Sequence, residues 1–578
     1  MSLFSSLQMA GNTLQAMQIG LHVVGNNIAN ANTPGYVRER AVFAPAPVQE
    51  VGTLTLGLGV EVTGIVQNID KFAEERLRDA GGDRASAELA ESTYRDLEVL
   101  LNSLGESNVS AQLAGFFNSL SEINNGNTSD IAKINLAISA GEQLTQSITT
   151  LDREVNVLRD DLNTRVDQLA DEINTLAEEI RQLNLRIVNI EGGGASGSDA
   201  GGLRSQRGVA LKRLAEIVDL EANESDTGVV NISVNGQFLV FEGTRREVES
   251  QQTSTDGTVS NRIVFSTDSA ELPATGGELG GIYESRDTIL DDFLSGLDEF
   301  AGALAFEFNK VYSQGQGTEG FTSVTGTYRA DDANAALDQA GLDFTPDNGE
   351  FNILVRNKNL DARVSPDTST IQIDLIGDDG SPTTLTSLAE QLDAVSGITA
   401  SVSIDNELVI NSESPADIEF TFEEDTSGVL AALGINTFFT GADAGNIGVN
   451  AELTTGISAG AKFANDLRDS QTGGPIGGAN ALRLVDLQDK QLSDQDGKSI
   501  GGVYQELIDA TTQGATTTAS IADGLRTFEG TLEAAAASVS GVNLDEEAID
   551  LIQLQRAYQA SARYISTLSE LLDILVNL

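Results

Sequence analysis

The chain carries an apolar seam at each end. Near the start, Leu3, Leu7, Ala10, Leu14, Met17, Leu21, Val24, Ile28 and Ala31 are spaced four then three, repeatedly. Near the end, Leu551, Tyr558, Ile565 and Leu572 fall seven apart, as do Leu554, Ser561, Leu568 and Leu575. Both are a/d heptads, the pattern of helices that wind around partner helices. A lone helix of this kind leaves its seam in water and is marginal. The two ends are therefore expected to pair with each other and to assemble with further copies of the chain.

Composition limits what lies between. A length of 578 residues suggests three or four domains. A hydrophobic share of 40% supports packed cores, while 5% aromatic residues and no Trp suit helix bundles and small β domains. The net charge of −53 repels nucleic acid and anionic membrane surfaces, so neither is an expected partner. Cysteine is absent, which excludes disulfides, thiolate metal sites and Cys nucleophiles. No run of eighteen apolar residues exists to insert into a membrane. No Lys or Arg precedes Arg38 and no apolar h-region ends at a cleavage site. The chain is thus expected to stay in the cytoplasm or to be exported with its N-terminus uncleaved.

The predicted fold class is multidomain and mainly α, with N- and C-terminal coiled-coil helices, a long helical bundle carrying a small β section, and an inserted α+β domain. Residues 1–45 and 540–578 form the predicted assembly domain. Residues 46–314 and 450–539 form a helical rod domain with its β section near 225–270, and 315–449 form the outer insert. The first helix should stop near Ala31, where Asn32-Thr33-Pro34-Gly35 breaks it. An extended stretch follows at Arg38–Phe43, after which Pro45 and Pro47 discourage regular structure. From about Asp70 to Ile190 the pattern is helical. Its clearest seam runs from Leu151 to Ile190, with a stutter at Leu158-Leu162-Val166. Gly192–Gly202 has the composition of a flexible linker. Val230, Ile232 and Val234 alternate before Asn235-Gly236, a type I′ turn signal, and helix resumes from Tyr283 to Tyr312. In the insert, Ile371–Ile376 reads as a strand and Leu385–Val395 as a helix, and Val402 and Ile404 should face Leu408 and Ile410 across Asp405-Asn406. Residues 461–538 read as helix again, and Asn543 or Asp545 caps the last one.

Chemistry is sparse. The single histidine, His22, lies inside the N-terminal heptad helix and reads as a surface residue. Asp494-Gln-Asp496-Gly497 resembles half a calcium loop, but Leu492 and Val503 occupy its anchor positions. No nucleophile, metal-ligand or phosphate-loop pattern stands in a suitable context. No enzyme activity, cofactor or metal is expected.

The segment Gly25-Asn-Asn-Ile-Ala-Asn-Ala-Asn-Thr-Pro-Gly-Tyr36 resembles the signature of the bacterial flagellar axial proteins, those of rod, hook and hook-associated type. Its motif residues are Asn30, Asn32, Thr33, Pro34, Gly35 and Tyr36. Ser540-Gly-Val-Asn-Leu-Asp-Glu-Glu547, Leu554-Gln-Arg-Ala-Tyr-Gln-Ala-Ser-Ala562 and Gly276-Gly-Glu-Leu-Gly-Gly281 are similar to segments of the hook-associated protein 1 family, as is Thr426–Gly441. One departure is visible: Ser205-Gln206-Arg207-Gly208 stands where that family tends to carry Asp-Gln-Arg-Asp. The resemblance implies a structural subunit at the hook–filament junction of the flagellum. It would form a ring of identical subunits, contact flagellar hook protein and hook-associated protein 3, and be held before export by a chaperone on its C-terminal helix. The alternative is the hook protein itself or another axial protein, against which the long 151–190 helix argues. The assembly residues are then Leu3, Leu7, Leu14, Met17, Leu21, Val24 and Ile28 on one seam, and Leu551, Leu554, Tyr558, Ile565, Leu568, Leu572 and Leu575 on the other.

Overall fold

The structure is a computed structural model that describes residues 3–51, 54–103, 108–125, 128, 130–255, 258–317, 319–359, 367–377, 380–455, 459–468 and 475–576. The fold is multidomain and mainly α. The chain divides into two compact units, one of 1–93, 160–288 and 515–578, the other of 94–159 and 289–514.

In the first unit, α1 (Leu3–Asn30) lies against α13 (Leu544–Val576). Asn543 accepts a 3.0 Å bond from the Asp545 amide, which makes it the residue that starts α13. After α1 the chain forms β1 (Glu39–Pro45), β2 (Val48–Val51), β3 (Leu54–Gly57) and β4 (Val60–Gln67). β1 pairs antiparallel with β4, and β2 with β3. Regular structure therefore continues beyond Pro45 and Pro47. Pro45 closes β1 and Pro47 precedes β2, so neither removes a hydrogen bond from a strand interior. Further on, α2 (Lys71–Ser103) packs Leu77 and Ala80 against Leu532 and Ala536 of α12 (Ile500–Ser540).

The main core of this unit lies between α4 (Ile131–Glu191), α5 (Gly201–Ile217), α6 (Gly277–Glu284) and a β section. That section is a four-stranded sheet, β5 (Glu221–Glu224), β6 (Val230–Val234), β7 (Gln237–Phe241) and β8 (Thr244–Arg245), followed by the hairpin of β9 (Val248–Thr255) and β10 (Thr258–Phe265). Asn235 and Gly236 take φ of +45° and +80°, the I′ turn that the sequence signals. Val166, Leu169, Ile173, Ala177 and Ile180 of α4 are completely buried at three- and four-residue steps. At the stutter the buried positions are not Leu158 and Leu162 but Arg159 and Asn163. Arg159 reaches Asp291 at 2.9 Å, and Asn163 accepts from the Asn261 amide at 3.0 Å and from Arg286 at 2.9 Å.

Gly192–Gly202 is not a free linker. The Asp199 amide donates to Ile65 O at 2.8 Å, its carboxylate accepts from the Gln67 amide, and Ser198 accepts from the Ile65 amide. The contact is possible because the backbones touch: a Cβ on Gly64 would sit 1.7 Å from Gly197 O. At its base Glu191 binds the Ala200 amide and Arg204.

In the second unit, α3 (Val109–Ile123) and α7 (Leu290–Tyr312) enclose an aromatic core in which the rings of Phe116, Phe308, Phe438 and Phe439 pack tilted or edge-on, their centroids within 5.6 Å of one another. A separate core is built from residues between Phe321 and Ile435. Around it lie two three-stranded antiparallel sheets. One orders β11 (Ser323–Thr325), β15 (Leu408–Ser412) and β14 (Ile398–Val402). The other orders β13 (Asp367–Ile373), β12 (Gly349–Asn357) and β16 (Ile418–Glu423). Both pack with α8 (Leu385–Asp393), whose cap Thr384 forms a reciprocal capping box with Ser387. Val402 pairs with Leu408 as the alternation suggests, but the strand stops there and Ile404 is 98% exposed in the turn. The following stretch departs from the helical reading. Among the described residues of 459–499 stand two 3-10 turns, a short hairpin and a helix of two turns, Ala479–Asp486. Gly473-Gly-Pro-Ile-Gly-Gly478 supplies residues that weaken helices.

Candidate functional site

The two terminal helices and the turn after α1 make the site. Asn27 of α1 donates to Glu547 Oε2 of α13 at 3.0 Å. One heptad away on each helix, Gly20 faces Leu554; a Cβ on Gly20 would lie 3.2 Å from its methyl groups and 3.1 Å from the Phe43 ring. The helices are therefore antiparallel. The fully buried residues of α1 are small or polar: Ser5, Ala10, Ala16, Gly20, Val23, Val24 and Asn27.

Of the predicted N-terminal seam, Val24 is thus buried, while Leu3, Leu7, Leu14, Met17, Leu21 and Ile28 are half-buried. On α13, Leu568 is buried and Leu551, Leu554, Tyr558, Ile565 and Leu572 are half-buried. The Leu575 side chain lies outside the described residues. Outside these seams, Phe4, Leu544, Ile549, Ile552, Tyr564, Leu571 and Ile574 are exposed.

The motif residues close the helix into a compact turn. Asn30 donates to Asn26 O, the Thr33 amide donates to Asn30 O, and the Tyr36 amide to Thr33 O. Asn32 and Pro34 are exposed. Gly35 takes φ of +73° and sits so close to Val209 that a Cβ would lie 2.2 Å from its methyl group. Tyr36 turns back and donates to Asn27 Oδ1 at 2.9 Å. Burial, with the charges of Glu39 and Glu547, pushes its phenol up to about 12. Burial likewise raises the Glu39 carboxyl.

Asn27, Arg38 and Glu547 form the centre of this arrangement, though no predicted site residue is among them. Asn27 receives the Glu39 amide at 3.0 Å and donates to Glu39 O at 2.9 Å, fixing the start of β1. Arg38 binds Glu547 at 2.6 Å and Glu546 at 2.9 Å, and its amide donates to Ser540 O. The Glu547 side chain is 1% exposed. A signal was available: Asn27 falls inside the Gly25–Tyr36 motif, and an Asn on the helix face that Val23 and Val24 occupy needs a partner. Among the described residues no group of three or more His, Cys, Asp or Glu is placed to hold a metal ion, and no helix is long and apolar enough to cross a membrane.

Three family models match this chain. The flagella basal body rod protein model covers 7–36, which is α1 with its turn. The flagellar basal body rod FlgEFG protein C-terminal model covers 534–578, the end of α12 and α13. The flagellar hook-associated protein FlgK helical domain covers 94–326. Flagellar hook-associated protein 1 of Escherichia coli (strain K12) is 28% identical over 586 residues, and that of Salmonella typhimurium 26% over 590, in each case spanning 98% of both chains. Over nearly its full length the chain is similar to flagellar hook-associated protein 1, and it carries that family's helical domain. That of Bacillus subtilis (strain 168) is 25% identical over 54% of this chain and 68% of its own. The solved hook junction protein FlgK from Burkholderia pseudomallei shares the fold, with a TM-score of 0.53 at 14% identity over 81% of this chain and all of that one. These matches make this an axial structural protein of the bacterial flagellum and not an enzyme. The two rod-type models fall on the two helices that Asn27, Arg38 and Glu547 join.

Proposed function

We propose that this chain forms a ring of identical subunits between hook and filament, built from the α1–α13 pair of each copy. The observation that carries the reading is the apolar surface left on that pair. The leucine seam of α1 stays half-buried, and Ile549, Ile552, Leu571 and Ile574 of α13 stay about half exposed or more. Isolated apolar residues on a surface are ordinary, whereas a stripe along both helices of a pair suits contact with neighbouring pairs. Such contacts join unlike faces, which suits rings and helical filaments.

The neighbours along the axis are flagellar hook protein on one side and hook-associated protein 3 on the other. Before export, a chaperone covers the apolar α13. The chain leaves the cell through the flagellar export route without losing its N-terminus. Within the ring, the seams of α1 and α13 make the intersubunit contacts, and the Asn30–Tyr36 turn sets where α1 stops.

Deleting the gene should leave cells with hooks and no filaments under the electron microscope; normal filaments would defeat the assignment. A chain lacking 545–578 should keep its second unit folded and fail to enter flagella. Its incorporation at the level of the full chain would remove α13 from the assembly.

A further inference from the structure

Apolar packing explains why α1 and α13 adhere, but not why they adhere at one register. Two heptad helices offer near-equivalent pairings displaced by seven residues, and a buried polar contact is the best-attested device for choosing among them. In this pair the layers Asn27–Glu547 and Gly20–Leu554 lie one heptad apart. Sliding α13 by one heptad would set Glu547 against Gly20 and Leu554 against Thr13, or Leu554 against Asn27 in the other direction. Either slip separates the Glu547 carboxylate from the Asn27 amide. It also takes that carboxylate from Arg38, which is fixed elsewhere by its own backbone: its amide binds Ser540 O and its carbonyl accepts from the Asn68 amide.

We infer that Asn27, Arg38 and Glu547 are positioning residues that lock α13 to α1 at a single register. The lock thereby decides which apolar faces each copy presents to its neighbours. This rests on the self-assembly proposed above. Both oxygens of Glu547 are engaged, Oε1 by Arg38 at 2.6 Å and Oε2 by Asn27 at 3.0 Å, in a side chain that is 1% exposed. Gly20 has no group to replace them. The penalty for leaving a buried polar group unpaired corresponds to a bias of about 5- to 150-fold against the slipped pairing. The leucines cannot supply that bias, because a seven-residue slip replaces one seam layer by the next.

The test uses the absence of cysteine from this chain, which makes an introduced pair unambiguous. Gly20→Cys with Leu554→Cys reports the native register; Thr13→Cys with Leu554→Cys reports the slip. Each pair is oxidised mildly in flagella isolated from cells expressing the full chain. With Asn27 and Glu547 intact, only the native cross-link is expected. With Asn27→Leu and Glu547→Leu together, apolar packing is kept and the slipped cross-link should rise to within about tenfold of the native one. Glu547→Gln retains the bond to Asn27 and should retain the native register. If the double leucine variant fails to fold, Asn27→Asp sets a second carboxylate against Glu547 and should also yield the slipped product. A role in stability alone would weaken the native cross-link without producing the slipped one, and that result overturns the lock. Failure of the otherwise unsubstituted cysteine chains to enter flagella, when export is normal, would instead count against the proposed assembly.

Discussion

Arg207→Ala should loosen the β section of the first unit severely. Arg207 is 4% exposed and holds three groups at once: Asn184 Oδ1 at 2.9 Å, Gly228 O at 2.6 Å and Glu224 Oε1 at 2.7 Å. Through Asn184, whose side chain also pairs with both backbone groups of Val230, it connects α4 to the start of β6. Burial lowers the pKa of Arg207, and Glu224 acts against that shift. Breaking one partner out of a buried ion pair costs about 3–5 kcal/mol. The lower end applies here, because Glu224 keeps Arg204 and Lys71, each at 2.5 Å. A loss of about 3 kcal/mol speeds exchange through the opened state by about 150-fold. A chain of two units does not unfold as one transition, so the assay is native-state hydrogen exchange read at the amides of Val230–Val234. Arg207→Lys, with a point charge in place of the planar fork, should recover only part of the protection. Acceleration of less than about tenfold in Arg207→Ala, or an equal change at Ile353 in the other unit, would refute this reasoning.

Gly141→Leu should destabilise the second unit by about 1–3 kcal/mol in urea unfolding, because a Cβ there already meets the Phe438 ring at 2.7 Å. Replacing 318–435 by a short Gly/Ser linker should preserve the remaining helical circular dichroism, since Asn436 holds Ser313 O and Gly315 O beside the point of excision. Extending the cut to 444 removes Phe438 and Phe439 and should lower the melting temperature of what remains. The first unit should lose stability in acid. Burial raises the Glu191 and Glu224 carboxyls, but Arg204 and the Ala200 amide outweigh it at Glu191, and Lys71, Arg204 and Arg207 outweigh it at Glu224, so both end below the ordinary 4.5. Their contribution is complete above that value and disappears as pH falls through the depressed ones. Glu224→Gln should flatten the pH dependence of exchange at β6 in this range, and an unchanged slope would count against the pairing as its source.

What the sequence made legible followed from local rules. The heptads located α1 and α13, Asn235-Gly236 marked its turn, and the helix expected at Leu385–Val395 forms over Leu385–Asp393, where Thr384 caps it. The rest depended on partners far along the chain. Arg159 and Asn163 break the apolar pattern of α4, yet they are buried because Asp291, Asn261 and Arg286 meet them there. The glycine-rich segment after Glu191 had the composition of a linker, but hydrogen bonds with Ile65, Gln67 and Glu191 tie it down. Arg38 and Glu547 are separated by most of the sequence, so no periodicity connects them. Ile404 shows the converse limit: alternation continued past the point where the strand stopped pairing.

The same logic explains why the buried face of α1 is not its leucine seam. Gly20 lets α13 come close, and Ala10, Ala16, Gly20 and Val23 are buried while the longer Leu7, Leu14 and Leu21 side chains stay half-buried. A cis pair built on the leucines would have consumed the surface that assembly needs. The surface left on α13 is modest. Ile549, Ile552, Leu571 and Ile574 are each about half exposed, and covering half of such a side chain yields about 1 kcal/mol, or about 4 kcal/mol for the four. Fixing one free subunit against another costs an estimated 4–15 kcal/mol. One neighbour touching α13 alone would therefore hold a subunit weakly, whereas neighbours on both sides, covering the α1 seam as well, would favour incorporation. In the proposed ring, each subunit is stabilised only when contacts on both of its faces are made, which favours closed rings over pairs.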